Sequence, residues 1–306
     1  MIAVLTGFVV VGVAIATGYI VGRLGILGEH ARFVLSRLTF FVLSPFLLFV
    51  VLSEADVTVL FSSLLPVSAL AALTMFLVYA LIARFVLHRP VGATVIGSLG
   101  AGYVNGNNIG LPIATYLLGS GAYSAPIILI QLLVFTPVVL ALLDAVSSGT
   151  SEIRLVLRRT ARNPMILGAL LGTLVAFADI DLPPIVMDPM RLIADAGIPV
   201  LLISFGMSLH GTRVLTTRGT RVDVLLSTGM KLFLMPVVAW LLGHFAFGMN
   251  GQDLLAVVVL AALPSAQNVF NYAQRYDVGE PIARDTVFLT TLGCVPVIFG
   301  VVLLLG

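Results

Sequence analysis

The chain reads as an all-α polytopic membrane protein: ten transmembrane helices in a 5+5 inverted repeat, with one broken helix in each half that cross. Three observations predict this. First, 59% of the 306 residues are hydrophobic, only 10% are charged, and the mean hydropathy is +1.14. A soluble domain carries roughly a quarter charged residues, so lipid must be the solvent for much of this surface. Second, the apolar runs are about 20 residues long and continuous rather than alternating, the signature of helices and not of barrel strands. Third, two of these runs, about 160 residues apart, are each interrupted by amides beside Gly or Pro.

Residues 1–21 lack a basic leader and a small-residue cleavage site, so they read as a retained first span. The spans fall at about 2–21, 33–52, 62–87, 93–118, 123–145, 163–178, 188–209, 221–247, 252–273 and 281–305. Most connections are short. The longest, 146–162, runs through Ser147, Ser148 and Gly149 to Arg154, Arg158, Arg159 and Arg162, a basic linker between halves 1–145 and 163–306. Five spans is an odd number, so the second half must run inverted relative to the first. Weak internal likeness supports a repeat. Arg37 precedes Pro45 by eight residues in span two, as Arg191 precedes Pro199 in span seven. Thr136-Pro137 in span five matches Val295-Pro296 in span ten. Pro45 and Pro199 read as bends in scaffold helices.

Basic residues set the orientation. Fourteen of the sixteen Lys and Arg residues lie in or beside odd-numbered loops; Arg191 and Lys231 are the exceptions. Even loops hold Glu54, Asp56, Asp179, Asp181, Asp188 and Asp253. The odd loops are therefore expected in the cytoplasm of a plasma (bacterial inner) membrane, with both termini on the extracytoplasmic side.

The first break places Asn105, Asn107 and Asn108 among Gly102, Gly106 and Gly110, followed by Pro112. Each Gly costs a helix roughly 1 kcal/mol relative to Ala. Pro112 removes a donor and clashes with the carbonyl of Asn108. The helix should open between about Tyr103 and Leu111 and bare N–H groups suited to an anion. The second break carries Pro264 where the first has Val104, then Ser265, Gln267, Asn268 and Asn271. Amides in hydrocarbon are costly unless bound, and paired interrupted segments are the sequence pointer to a transporter's substrate site. The competing reading is a pair of kinked helices whose amides bond neighbouring helices.

Lys231 is the one fully embedded cation and has four possible roles: attracting a substrate carboxylate, standing in for a sodium ion, titrating, or tying helix-end carbonyls together. Asp195, one turn before Pro199, is either a coupling group or a hydrated residue at the outer mouth. Asp144 and His244 sit near span ends and read as interfacial. The lone Cys294 allows no internal disulfide. The four histidines are scattered without metal spacing, and no nucleotide-phosphate loop, catalytic constellation, cofactor motif or nucleic-acid-type basic run is present.

The Asn105-x-x-x-x-Gly110-Leu111-Pro112 string resembles the fourth span of the auxin efflux carrier family. Ala261-Ala262-Leu263-Pro264, with Ala273-x-x-Tyr276 behind it, resembles that family's ninth. The likeness covers nearly the whole chain and fits the bacterial members, which have short loops. It implies a scaffold of spans one, two, six and seven and a transport domain of spans three to five and eight to ten. It further implies helices crossing at the site, a homodimer through scaffold contacts, and cargo that is auxin in plants and malate- or malonate-type dicarboxylates in bacteria. Val104 departs from the plant pattern, which has proline there, and the plants' long central loop is missing. The expected function is alternating-access transport of small organic anions, driven by membrane potential or protons. The alternatives are a sodium-coupled symporter of the bile-acid type and a non-transporting membrane sensor. An intramembrane hydrolase built on Ser265 is disfavoured because no base lies near it in sequence.

Overall fold

A computed structural model describes residues 2–28, 30–54, 62–148, 162–211 and 214–306. Asp56, and Arg154, Arg158 and Arg159 of the expected basic linker, lie outside the described residues. Those described are helical without a β-strand. The helices are α1 (Ile2–Leu24), α2 (Ala31–Leu38), α3 (Ser44–Ser53), α4 (Leu64–Leu81), α5 (Val91–Gly102), α6 (Leu111–Leu117), α7 (Ala125–Ile130) and α8 (Thr136–Ser148). They continue with α9 (Pro164–Phe177), α10 (Pro184–Asp195), α11 (Gly197–Leu209), α12 (Arg221–Gly229), α13 (Met235–Leu241), α14 (Gly251–Ala262), α15 (Gln267–Tyr276) and α16 (Glu280–Leu305).

Five continuous helical stretches among the described residues are long and apolar enough to cross a membrane: Phe33–Ser53, Leu64–Val86, Gly121–Leu143, Arg221–Ala246 and Glu280–Leu305. Gly12–Leu24, Val91–Gly102, Pro164–Phe177 and Gly251–Ala262 are shorter apolar helices. The seventh expected span starts earlier than 188 and is interrupted at Ala196, between α10 and α11. The linker expected from 146 begins in helix, since α8 runs to Ser148.

A recurring device explains how prolines sit inside these stretches. Wide π-turns at Thr39–Leu43, Gly106–Gly110, Gln131–Phe135 and Met230–Leu234 each end two residues before a proline, at Pro45, Pro112, Pro137 and Pro236. A proline in a regular helix strikes the carbonyl four residues back. Widening the preceding turn moves that carbonyl aside, so the helix continues instead of breaking.

The chain divides into two compact units, interleaved in sequence. The first comprises 1–61, 107–125 and 158–212. Within it α1 packs on α11 and α3 on α9 through glycines. A Cβ at Gly18 would strike the Ile203 carbonyl, one at Gly206 the Ile15 carbonyl, and one at Gly168 the Pro45 carbonyl. Backbones this close gain dispersion contacts where lipid offers no hydrophobic drive.

The second unit comprises 62–106, 126–157 and 213–306. It holds a half-buried ion pair: Arg89 donates to both carboxylate oxygens of Asp223, at 2.6 and 3.0 Å, and to the Gly219 carbonyl at 2.8 Å. Asp223 is buried, and the Tyr79 hydroxyl also donates to it at 3.4 Å. This unit carries a 160-residue register. α5 and α14 are both twelve residues long and begin at Val91 and Gly251. The stretches from α4 and α13 both end in π-turns, Ile82–Val86 and Leu242–Ala246. Both then close with the same bonds, Leu87 N to Ile82 O and Arg89 N to Ala83 O matching Phe247 N to Leu242 O and Met249 N to Gly243 O. His88 and Gly248 both take positive φ, at 51° and 62°.

Candidate functional site: two paired helix breaks

Both amide-rich strings interrupt their helices. α5 stops at Gly102 and leaves Tyr103, Val104 and Asn105 non-helical; α14 stops at Ala262 and leaves Leu263 to Ala266 non-helical. The first opening is narrower than the Tyr103–Leu111 expected from sequence, because the π-turn Gly106–Gly110 accommodates Pro112 and restores helix. Pro112 therefore lies at the start of α6, and Gly110 is that helix's N-cap.

The two openings meet in an isolated antiparallel bridge, Val104 opposite Ser265. Asn105 N donates to Pro264 O and Ala266 N to Tyr103 O, both at 2.9 Å. Unwound backbone away from water must find partners, and here each break supplies them to the other. Two side chains complete the job. Gln131 is buried and faces Val104 like a third strand: Val104 N donates to its Oε1 at 2.7 Å, and its Nε2 donates to Val104 O at 2.9 Å. Thr290 Oγ1 accepts from Ser265 N at 3.1 Å. The Tyr103 hydroxyl bonds Thr136 at 2.7 Å, and Thr136 reaches Tyr272 at 3.4 Å. Neither Gln131 nor Thr290 was singled out from sequence. A lone Gln in the apolar run 125–135 was the available signal.

The carbonyls at the ends of α5 and α14 are capped differently. The Ser265 hydroxyl donates to Gly100 O, and Lys231 Nζ donates to Ala261 O at 2.6 Å. Lys231 is fully buried and has no carboxylate partner among the described residues. A cation on a terminal carbonyl also complements the negative end of the helix dipole. Of the roles open to Lys231, tying a helix-end carbonyl is the one its contact displays.

The remaining amides separate. Asn105 is buried beside the bridge. On α15, Gln267 and Asn268 are half-buried and Asn271 is exposed, and none makes a side-chain hydrogen bond among the described residues. Asn107 and Asn108 belong to the first unit: Asn107 Nδ2 donates to Ser44 Oγ at 3.1 Å and to Asn108 Oδ1 at 3.0 Å. Ser265, expected to face substrate, is fully buried with both its N–H and its hydroxyl engaged. Asp195 is exposed at the end of α10, one helical turn from Arg191, which pairs with Glu54 at 2.7 Å and Asp188 at 3.5 Å. His244 is exposed and stacks on Trp240, 5.8 Å between ring centres.

Comparison with known proteins matches the sequence of this chain to transporters. A family model described as "Membrane transport protein" matches residues 148–302, just over half of the chain. The chain is 28% identical over 161 residues to "Probable auxin efflux carrier component 5b" of Oryza sativa subsp. japonica, covering 50% of this chain and 42% of that protein. It is 27% identical over 242 residues to "Putative malonate transporter" of Rhizobium meliloti (strain 1021), covering 76% and 74%. It is 27% identical over 285 residues to "Uncharacterized transporter" of Methanothermobacter thermautotrophicus, covering 92% and 91%. The chain thus spans less than half the length of the rice carrier but most of the other two. It is a membrane protein with several apolar helices, and it belongs to the membrane transport protein family, that of the auxin efflux carriers.

Proposed function

We propose that the chain is a secondary transporter of small organic anions, auxin-like monocarboxylates or malate- and malonate-type dicarboxylates, working by alternating access. One observation carries this reading. Every backbone N–H of both breaks is engaged, while three amides on the first two turns of α15 have no hydrogen-bond partner among the described residues. Such amides at a helix N-terminus suit a carboxylate. Gln267, Asn268 and Asn271 are its ligands, with Asn105 beside them, and Lys231 supplies compensating positive charge. Asn107 anchors the start of the second half-helix on Ser44, and Asn108 accepts from Asn107.

The finer architecture follows from the same features. The 160-residue register supports a 5+5 inverted repeat of ten spans, with spans four and nine crossing at their breaks. Spans three to five and eight to ten carry the cargo, and spans one, two, six and seven form the scaffold and a homodimer contact. The arginine-rich loops face the cytoplasm of a bacterial inner membrane, which leaves both termini outside. Lys231 already occupies a helix-end carbonyl of the kind a metal cation would seek, so transport runs on membrane potential or protons, with Asp195 as the second coupling candidate. Membrane potential alone moves an anion with about 2.3 kcal/mol per charge per 100 mV.

Proteoliposome flux with labelled malonate, malate and auxin tests the reading. Saturable flux is expected, unchanged when choline replaces sodium and weakened by Asn268→Ala. Sodium dependence would favour a symporter of the bile-acid type. Binding without flux would favour a sensor, and no binding of any of the three anions would remove the proposal.

A further inference from the structure

Arg37 differs in its contacts from the other arginines whose partners are described. Arg89, Arg191 and Arg284 each pair with a carboxylate, at 2.6 to 2.7 Å, and Arg84 and Arg221 donate to the backbone carbonyls of Arg89 and Leu215. Arg37 pairs with none among the described residues, and the stretch 30–54 contains a single acid, Glu54, already held by Arg191. The Arg37 guanidinium instead lies over two rings, 5.6 Å from the centre of Phe33 and 5.3 Å from that of Phe41. These residues recur every four positions, so they form one stripe along α2 and the π-turn that follows.

The stripe faces outward. Phe33 is 63% exposed and Phe41 53%, with Val34 and Leu38 exposed beside them. The apolar stretch Phe33–Ser53 is long enough to cross a bilayer. At 1.5 Å per residue, Arg37 lies about 6 Å inside its end, where hydrocarbon gives way to headgroups. A cation over a ring face spends no N–H donor on that ring. The guanidinium is therefore held in place with its hydrogen-bonding edges uncommitted, the geometry that recognises a phosphate through two parallel bonds.

We propose that Phe33, Arg37 and Phe41 form a site for the phosphate of an anionic glycerophospholipid, with its acyl chains lying along Val34 and Leu38. Charge complementarity selects this occupant. An anionic headgroup neutralises the uncommitted Arg37 charge, whereas a choline headgroup brings a second cation beside it. A second copy of the chain does not fit. A two-fold contact through this face would set Arg37 against its own symmetry mate, with no acid between residues 30 and 43 to neutralise either.

Native mass spectrometry of the purified full chain, titrated with phosphatidylglycerol or phosphatidylcholine, tests the site. The parent should bind the first lipid about fivefold more tightly at one site, the contribution of one basic side chain near a membrane surface. Arg37→Gln should abolish that preference while leaving the melting temperature unchanged, because the side chain is exposed. Arg23→Gln should keep it. A Phe33→Leu/Phe41→Leu variant, which retains the charge, should bind more weakly than the parent. Equal affinity of the parent for both lipids, an undiminished preference in Arg37→Gln, an equal loss in Arg23→Gln, or a shift from dimer to monomer in Arg37→Gln would each overturn the proposal.

Discussion

Replacing Gln131 by Leu tests the brace on the first break most directly. The substitution keeps the side chain's approximate size and apolar surroundings but removes both bonds to Val104. The Val104 N–H then loses the partner at 2.7 Å, with no other backbone acceptor nearby in the bridge. Its carbonyl keeps one donor, Gly106 N at 2.9 Å, and loses the other. A buried N–H left without a partner costs about 1–3 kcal/mol, and the lost second bond to the carbonyl about 1 more. The sum, about 2–4 kcal/mol, corresponds to roughly 30- to 700-fold in the population of the intact junction. Hydrogen exchange read by mass spectrometry on peptides covering residues 100–112 should accelerate by a factor in that range. Peptides from α9, in the other unit, should not change. Gln131→Glu should be at least as damaging, because it loses the donor and adds an unpaired charge. Unchanged exchange at 100–112 in a folded Gln131→Leu protein would refute the claim that this side chain holds the unwound backbone.

Other substitutions separate binding from bracing. Lys231→Ala should weaken malonate binding more than Asp144→Ala does, and should lower the melting temperature because a charged bond of about 1.5–3 kcal/mol to Ala261 O is lost; equal binding effects from the two variants would leave Lys231 a purely structural tie. Asn268→Ala should reduce anion affinity with little change in stability, whereas Asn107→Ala should cost about 1 kcal/mol of stability through its bond to Ser44, so calorimetry paired with thermal melting should sort the two. Asp223→Asn should destabilise by about 2–3 kcal/mol, less than a fully buried pair because Arg89 is 30% exposed, and a double-mutant cycle with Arg89→Gln should give a coupling above about 0.5 kcal/mol. Gly206→Leu should prevent folding or strongly lower the melting temperature, since its side chain would enter the α1 backbone at Ile15 and Tyr19.

Much of the candidate site was legible in the sequence because its ingredients are costly in lipid. Asn, Gln, Gly and Pro inside an apolar run admit few explanations, and the two strings do mark where α5 and α14 end. What the string could not convey was partnership. Asn107 sits within a turn of Asn105 in sequence, yet its amide bonds Ser44, and no local pattern encodes a partner 63 residues away. Ser265 carries the same hydroxyl whether it faces cargo or caps Gly100; only its burial distinguishes the two. Gln131 and Thr290 lie outside both strings, so attention to the breaks alone passed over the residues that hold them. The extent of the first opening was overestimated because a proline was assumed to end a regular helix, whereas the wide turn before Pro112 lets helix resume at once. Asp223 was not singled out from sequence; it is buried against Arg89, a partner 134 residues earlier that no local pattern encodes.

The bridge between Val104 and Ser265 also sets a timetable for biosynthesis. The earlier strand of that pair leaves the ribosome some 160 residues ahead of the later one, a delay of roughly 8–32 s at 5–20 residues per second. Gln131 emerges only 27 residues after Val104. It reaches the waiting backbone within a few seconds and can chaperone it in cis until the distant mate arrives.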